Sequence, residues 1–178
     1  MSFKTNDGLF SPNGVDAGTK AMLSCAAFTQ SDKLLDLGCG YGVVGIYAAK
    51  LIGVQNVTMV DIDEAAVALS KENALLNNVP EVRIFQSDGF KNIDDTGFSV
   101  ILSNPPYHTD FSVAKQFIEK GFNRLIVGGR MVMVTKRRDW YKNKFIAIFG
   151  GVLIIERDGY FVFTAEKRSP SYAKKPSR

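Results

Sequence analysis

The chain has 178 residues, 46% hydrophobic and 22% charged, which is the composition of one ordinary globular domain and excludes a disordered chain. Its net charge of +4 comes from residues 166–178, so we expect a domain over residues 1–165 and a flexible basic tail over 166–178. Two cysteines and one histidine exclude a disulfide framework and a clustered metal site, and the lack of a signal peptide or apolar span predicts a cytoplasmic, metal-free protein.

Helical and strand-like segments alternate along the chain. A helix is predicted first over Asp16–Phe28, where Ala, Met and Leu recur at helical intervals. Short apolar runs follow as predicted strands at Lys33–Leu37, Val57–Val60, Val82–Phe85, Phe98–Leu102 and Arg130–Thr135. Helices are predicted between and after them at Gly42–Ile52, Asp63–Leu76, Phe111–Phe122 and Asp139–Phe149. This rhythm predicts an α/β fold with one doubly wound sheet and helices on both faces.

The last two predicted strands form a hairpin. Val152–Glu156 and Tyr160–Ala165 are separated by Arg157-Asp158-Gly159, and Asp-Gly is a strong signal for a tight turn. The hairpin predicts one antiparallel strand at the edge of an otherwise parallel sheet.

A glycine-rich loop follows the first strand and leads directly into a helix. Asp36-Leu37-Gly38-Cys39-Gly40-Tyr41-Gly42 lets the backbone turn sharply and approach a ligand beyond the strand end. The next strand ends at Asp61, roughly 20 residues on, where a carboxylate can accept both hydroxyls of a ribose. Together these features predict an adenosine site.

The identity of the adenosine cofactor is less evident, since Gly40-x-Gly42-x-x-Gly45 also satisfies the dinucleotide pattern of an NAD-binding oxidoreductase. Asp36 is badly suited to a pyrophosphate but suits the ammonium and sulfonium groups of S-adenosylmethionine (SAM). Asp88 and Gly89 end the third strand, where Asp88 can accept the adenine amino group. The alternative is that Asp36 and Asp88 only cap helices. We favour SAM.

These motifs resemble those of the class I SAM-dependent methyltransferases, on Asp36-Leu37-Gly38-Cys39-Gly40 and Val60-Asp61-Ile62-Asp63. The resemblance implies a seven-stranded sheet of order 3-2-1-4-5-7-6 whose last strand is antiparallel. It also implies that Ile62 contacts the cofactor. Cys39 is expected to contribute only a small side chain and its backbone to the loop.

The fourth strand ends in Asn104-Pro105-Pro106-Tyr107-His108, at the edge where cofactor and substrate should meet. The Asn104 and Pro105 carbonyls can accept both N–H bonds of an aromatic amine and aim its lone pair at a methyl group. The two prolines stiffen the loop, and Tyr107 can stack on the substrate ring. Asn104 also borders the cofactor. His108 is predicted to contact the substrate rather than to act as a base.

The N-terminal segment is similar to the small-subunit ribosomal RNA guanine-N2 methyltransferases of the "methyltransferase small" group, on Gly8-Leu9-Phe10-Ser11 and Val15-Asp16-Ala17-Gly18-Thr19. This resemblance implies that Phe10, Asp16, Gly18 and Thr19 lie over the cofactor. Phe10 and Ser11 could instead form an N-terminal hydrophobic staple.

Ribosomal RNA is therefore the expected substrate, with Lys136, Arg137 and Arg138 as phosphate contacts near the active-site edge. The basic tail is either a further contact or only a solvated terminus. A base inside a duplex could not reach Asn104, so the target must be unpaired or flipped out. A protein glutamine amide or a small molecule is the alternative acceptor.

Overall fold

Seven strands form one sheet in the computed structural model, which describes residues 1–5, 14–106 and 111–173. The strands are β1 (Leu34–Leu37), β2 (Val57–Asp61), β3 (Arg83–Gln86), β4 (Phe98–Ser103), β5 (Leu125–Thr135), β6 (Leu153–Arg157) and β7 (Tyr160–Glu166). Their order is β3-β2-β1-β4-β5-β7-β6. The first five are parallel, and β7 is antiparallel to both of its neighbours. The predicted fold class and strand order are confirmed.

Five helices within the described residues cover the two faces of the sheet. They are α1 (Ala17–Cys25), α2 (Val43–Ile52), α3 (Glu64–Leu76), α4 (Ser112–Arg124) and α5 (Asp139–Phe149), with a short 3-10 turn at Val54–Asn56. Side chains of α1, α2 and α3 pack into one apolar cluster, and those of α4 and α5 pack into a second on the other face. Among the described residues, no helix is long and apolar enough to cross a membrane.

The strands supply both apolar clusters because successive side chains point to opposite faces of a sheet. In β5, Val132 and Val134 belong to the cluster under α1 to α3, whereas Met131 and Met133 belong to the cluster under α4 and α5. All four side chains are essentially inaccessible to solvent. Because β1 to β5 are parallel, their carboxyl ends lie at one common edge of the sheet.

The predicted hairpin is present, with a turn of the kind that Asp-Gly favours. Asp158 has φ 51° and Gly159 has φ 76°, and positive φ at both central residues matches the twist of paired strands. One detail of the expectation is corrected. The antiparallel strand is β7, which lies one position in from the edge, and β6 occupies the edge itself.

Two boundaries differ from the sequence predictions by three residues or more. β5 begins at Leu125 rather than Arg130, since Leu125 already pairs with β4. The sequence prediction missed this first part of the strand because it contains two consecutive glycines and lacks a buried apolar pattern. The first helix ends at Cys25 rather than Phe28. The next residue, Ala26, has extended geometry and caps the helix by donating its N–H to the Met22 carbonyl.

Part of the segment predicted as a tail lies against the domain. Lys167 is buried, its Nζ donating to the Leu125 carbonyl at 2.8 Å, and the Ala173 N–H donates to the Ile148 carbonyl at 3.0 Å. Residues 174–178 lie outside the described part of the chain. The division of the chain at residue 165 stays a prediction.

Candidate active site

A cavity of about 310 Å³ opens where the carboxyl ends of β1, β2 and β4 meet. Its volume falls at the lower end of the range of roughly 300–1,000 Å³ that is common for small-molecule sites. Parallel strands bring the residues that follow them to one edge of the sheet. The predicted site residues that line the cavity are Asp16, Thr19, Asp36, Gly38, Cys39, Gly40, Tyr41, Asp61, Ile62, Asp88, Gly89, Asn104, Pro105 and Pro106.

The glycine loop after β1 directs three of its N–H groups into the protein rather than into the cavity. Gly38 and Cys39 both donate to the Val60 carbonyl at 2.9 Å, and Gly40 donates to Asp61 Oδ2 at 2.8 Å. A dinucleotide-binding loop instead offers such groups to a pyrophosphate. The loop therefore fits a cofactor held by carboxylates better than it fits NAD.

Two contacts hold this loop against α3. Gly42 has φ 98°, and a Cβ at this position would lie 2.5 Å from Ser70 Oγ, so only glycine fits. Asn73, which is completely buried, donates from Nδ2 to the Tyr41 carbonyl at 2.9 Å and to the Lys4 carbonyl at 3.0 Å. The backbone of the loop is thereby fixed before any ligand binds.

Two carboxylates lie beside the loop. Asp36 is 2% exposed, and its Oδ2 accepts the N–H of Gly45 at 2.8 Å, in the first turn of α2. Burial raises the pKa of Asp36 to about 7, opposed by the Gly45 hydrogen bond and reinforced by the charge of Asp61. Asp36 thus bonds the start of a helix and also lines the cavity. Burial likewise raises the pKa of the Cys39 thiol well above its ordinary value, which keeps the thiol protonated.

The part of the cavity near the ends of β2 and β3 is lined by apolar side chains and one carboxylate, Asp88. Ile62, which follows Asp61, is 62% exposed and lines the cavity together with Val113 and Phe117 of α4. Asp88 and Gly89 also line it, where the chain leaves β3. Apolar side chains with a carboxylate beside them suit a flat heteroaromatic ring that carries an amino group.

Asn104 lies at the end of β4, held in one orientation. Its Nδ2 donates to Asp16 Oδ2 at 2.9 Å and to Thr19 Oγ1 at 3.1 Å. Just before it, Ser103 Oγ donates to the Leu37 carbonyl at 2.7 Å and fixes the strand end to β1. Asn104 Oδ1 is buried and has no hydrogen-bond partner in the described part of the chain. Such an oxygen costs roughly 1–3 kcal/mol unless a ligand supplies a donor.

The cavity fits SAM on the chemistry of these groups. Asp61 would accept the ribose hydroxyls, and Asp36 would face the cationic end of the cofactor. Ile62 and Phe117 would enclose the adenine, whose amino group Asp88 would accept. The internal bonding of the loop N–H groups supports the same choice, because SAM has no phosphate to receive them.

Some predicted site residues lie outside the cavity wall. Gly18 and Gly42 support the residues next to them, and a Cβ at Gly18 would lie 2.8 Å from Asp16 Oδ2. Lys136, Arg137 and Arg138 are exposed beyond β5 and do not line the cavity. Phe10, Tyr107 and His108 lie outside the described residues, as does the possible Phe10–Ser11 staple.

The sequence predictions missed several residues that line or support the site, and four of them bear on its geometry. Val113 and Phe117 recur at helical spacing in α4, and this apolar stripe is the signal that could have indicated a wall facing the strand ends. Asn73 is a polar residue on the buried face of α3, which is unusual enough to suggest a structural task. No local signal marks Tyr160, whose hydroxyl lies 3.4 Å from Asp16 Oδ1.

Comparison with known proteins agrees with this geometry. The family model of the methyltransferase small domain matches residues 1–164. The uncharacterized protein YbxB of Bacillus subtilis is 31% identical over 173 residues, covering 94% of this chain and 86% of that protein. Ribosomal RNA small subunit methyltransferase C of Serratia proteamaculans is 32% identical over 182 residues, covering 98% of this chain and 52% of that protein. The chain therefore spans about half of that methyltransferase.

Solved structures give the same picture. The 16S rRNA N2 methyltransferase RsmC of T. thermophilus, solved with AdoMet and guanosine, aligns with a TM-score of 0.79 and 27% identity, over 90% of this chain and 46% of that one. A methyltransferase from Pyrococcus furiosus, 18% identical, shares the fold with a TM-score of 0.72 over 93% of this chain and 88% of its own. The chain belongs to the methyltransferase small domain family and is a SAM-dependent methyltransferase.

Proposed function

We propose that the protein methylates an exocyclic amine of a nucleobase in RNA, and that this amine is guanine N2 of ribosomal RNA. The observation that carries the proposal is Asn104 Oδ1, a buried acceptor that belongs to a cavity-lining residue and has no partner in the described part of the chain. An NH2 group of the substrate would supply the missing donor. The proposal also draws on the relatives named for ribosomal RNA methylation and on the guanosine bound to the T. thermophilus protein.

The chemistry follows from holding the amine in a definite geometry. SAM, when bound, supplies a methyl group on a sulfonium sulfur. An aromatic amine is a weak nucleophile because its lone pair is delocalised into the ring. Asn104 Oδ1 and the Pro105 carbonyl would accept its two N–H bonds and turn the lone pair out of the ring plane. Pro105 and Pro106 limit movement of these acceptors, so positioning supplies most of the rate enhancement.

A surface beside the cavity suits an RNA substrate. In the parallel pairing of β4 and β5, Ser103 lies opposite Met133, so the residues after Thr135 emerge at the edge where Asn104 lies. Lys136, Arg137 and Arg138 follow there, all exposed. We propose that they contact phosphates of the RNA, and that Tyr107 and His108 contact the target base.

Aromatic rings accompany these cations. Phe111 and Trp140 are half-buried and stack with ring centroids 4.3 Å apart and an angle of 11° between their planes. The guanidinium of Arg137 lies 4.9 Å from the centre of the Phe111 ring. Unpaired bases stack on such rings and guanidinium planes. This surface therefore supports RNA over a small molecule as the substrate. We propose that the reaction takes place in the cytoplasm.

Transfer from labelled SAM tests the proposal. Purified protein is incubated with small ribosomal subunits, free ribosomal RNA or ribosomal protein, and the RNA is digested to nucleosides. We expect label in N2-methylguanosine. Label in protein alone, or in a different nucleoside, would overturn the assigned substrate.

The role of Asn104 is tested in the same assay with Asn104→Ala. Turnover is expected to fall by about two to three orders of magnitude, as for loss of a preorganised polar group, while the dissociation constant for SAM changes less than about threefold. Asn123→Ala is the matched control, since Asn123 is exposed at the end of α4. Unchanged turnover in Asn104→Ala would refute the proposed acceptor.

A further inference from the structure

We infer that Asp16, Thr19 and Tyr160 are positioning residues that fix which end of the Asn104 amide faces the substrate. The inference rests on the proposed role of Asn104 Oδ1 as an acceptor. It goes beyond that role, because it gives three residues from two other elements a function in the reaction without contact to the reacting atoms.

The first step concerns the two ends of the amide. A carboxylate only accepts hydrogen bonds, so Asp16 Oδ2 at 2.9 Å must face the NH2 end of Asn104. Thr19 Oγ1 lies 3.1 Å from the same nitrogen and accepts its second hydrogen. With both hydrogens of Nδ2 bonded, a flip of the amide would set Oδ1 against a carboxylate. Oδ1 is therefore held in the opposite direction.

The second step concerns how Asp16 is itself held. Asp16 precedes α1 and caps it, with Oδ2 accepting the Thr19 N–H at 3.0 Å. Its other oxygen, Oδ1, lies 3.4 Å from the hydroxyl of Tyr160 at the start of β7. The carboxylate is thus bound from a helix on one side and from a strand on the other. Asn104, 88 positions away in sequence from Asp16, receives an acceptor whose direction is already set.

The third step concerns the space for this contact. Gly18 is buried, and a Cβ there would lie 2.8 Å from Asp16 Oδ2 and 2.8 Å from Tyr160 Cε1. The missing side chain lets the tyrosine ring approach the carboxylate. Tyr160 is 7% exposed and is not among the described residues of the cavity wall, and its hydroxyl contacts the carboxylate of Asp16 that bonds Asn104.

Two isosteric variants test the inference. Asp16→Asn keeps a good helix cap but removes the obligatory acceptor, and Tyr160→Phe removes only the hydroxyl. At saturating SAM, we expect kcat to fall about 10- to 100-fold in Asp16→Asn and about threefold in Tyr160→Phe. Saturation matters because a residue that only bound the cofactor would regain full kcat there.

Matched controls lie away from the cavity. Asp94→Asn changes the same residue type in the exposed segment before β4, and Tyr172→Phe removes a hydroxyl that bonds the Glu119 carbonyl at 3.1 Å. Both are expected to keep wild-type kcat.

A double-mutant cycle separates positioning from a merely structural effect. If Asp16 acts through Asn104, adding Asp16→Asn to Asn104→Ala costs less than about twofold in single-turnover rate. The side-chain NH2 resonances of Asn104, identified by their loss in Asn104→Ala, are expected to shift in Asp16→Asn without any substrate present. An additive cycle or unmoved resonances would overturn the inference. Wild-type protein that labels no RNA would instead overturn the proposed substrate, since the resonances still report the amide.

Discussion

Replacing Asp36 by asparagine is expected to stabilise the ligand-free protein in a pH-dependent way. Asp36 is 2% exposed, and burial raises its pKa from the ordinary 3.8 to about 7. The folded chain therefore binds more protons than the unfolded chain between these two values. Its stability falls as pH rises from about 4 to about 7, and the loss is complete above that range. Asparagine keeps an oxygen for the Gly45 N–H and has no charge to bury.

The size of the effect follows from the two pKa values. A separation of about 3 pKa units means that Asp36 destabilises the folded wild type by about 4 kcal/mol at pH 8 and by less than half of that at pH 5. The stability advantage of Asp36→Asn should therefore grow by about 2–3 kcal/mol from pH 5 to pH 8. For a chain of this length, the corresponding growth of the difference in Tm is about 5–10 °C.

Calorimetric unfolding of the ligand-free wild type and variant at the two pH values measures this difference. Titrating groups that do not interact with Asp36 contribute equally to both proteins and cancel. Binding of SAM should show the opposite effect, because a cation favours ionised Asp36. Wild-type affinity is expected to rise up to about tenfold from pH 6 to pH 8, while the affinity of the variant changes much less. A stability difference that is the same at both pH values would refute the reasoning.

Two further substitutions test the cofactor site and its support. Gly45→Ala is expected to destabilise the protein by about 1–3 kcal/mol, since its Cβ would lie 2.4 Å from Met59 Cγ. Gly151→Ala, with no neighbour of the added Cβ closer than 3.8 Å, should keep the wild-type Tm, and equal Tm values for both variants would contradict this account. Asp61→Asn is expected to weaken SAM binding at least about tenfold in titration calorimetry, because the charge that bonds Gly40 and would bond the ribose is lost. Unchanged affinity would remove Asp61 from the site.

Local chemistry in the sequence predicted much of the architecture and the cofactor end of the site. Apolar runs ending in Asp36, Asp61 and Asn104 indicated parallel strands whose polar ends meet, since all parallel strands end at the same sheet edge. Asp158-Gly159 indicated its hairpin because few residues adopt positive φ cheaply. The cavity lined by these strand ends agrees with that reasoning.

Contacts between distant segments could not be predicted in this way. Nothing near Tyr160 indicates that its hydroxyl reaches Asp16, 144 positions earlier, because that meeting depends on β7 inserting between β5 and β6. The wall formed by Phe117 likewise depends on which face of the sheet α4 covers. For Lys136, the position after β5 predicted the sheet edge at which the residue lies. It did not predict where the side chain lies, which is outside the cavity wall with Nζ 5.0 Å from the centre of the Tyr160 ring.

The sequence by itself determined where strands and helices form, which loop can approach an adenosine, and which amide follows β4. These properties depend on side-chain periodicity and on the conformational freedom of glycine and proline, which neighbouring residues carry. Only the tertiary structure decided which groups bond the Asn104 amide and which end of it they bond. That choice depends on a carboxylate from α1 and a hydroxyl from β7, and long-range strand order alone brings such groups within hydrogen-bonding distance.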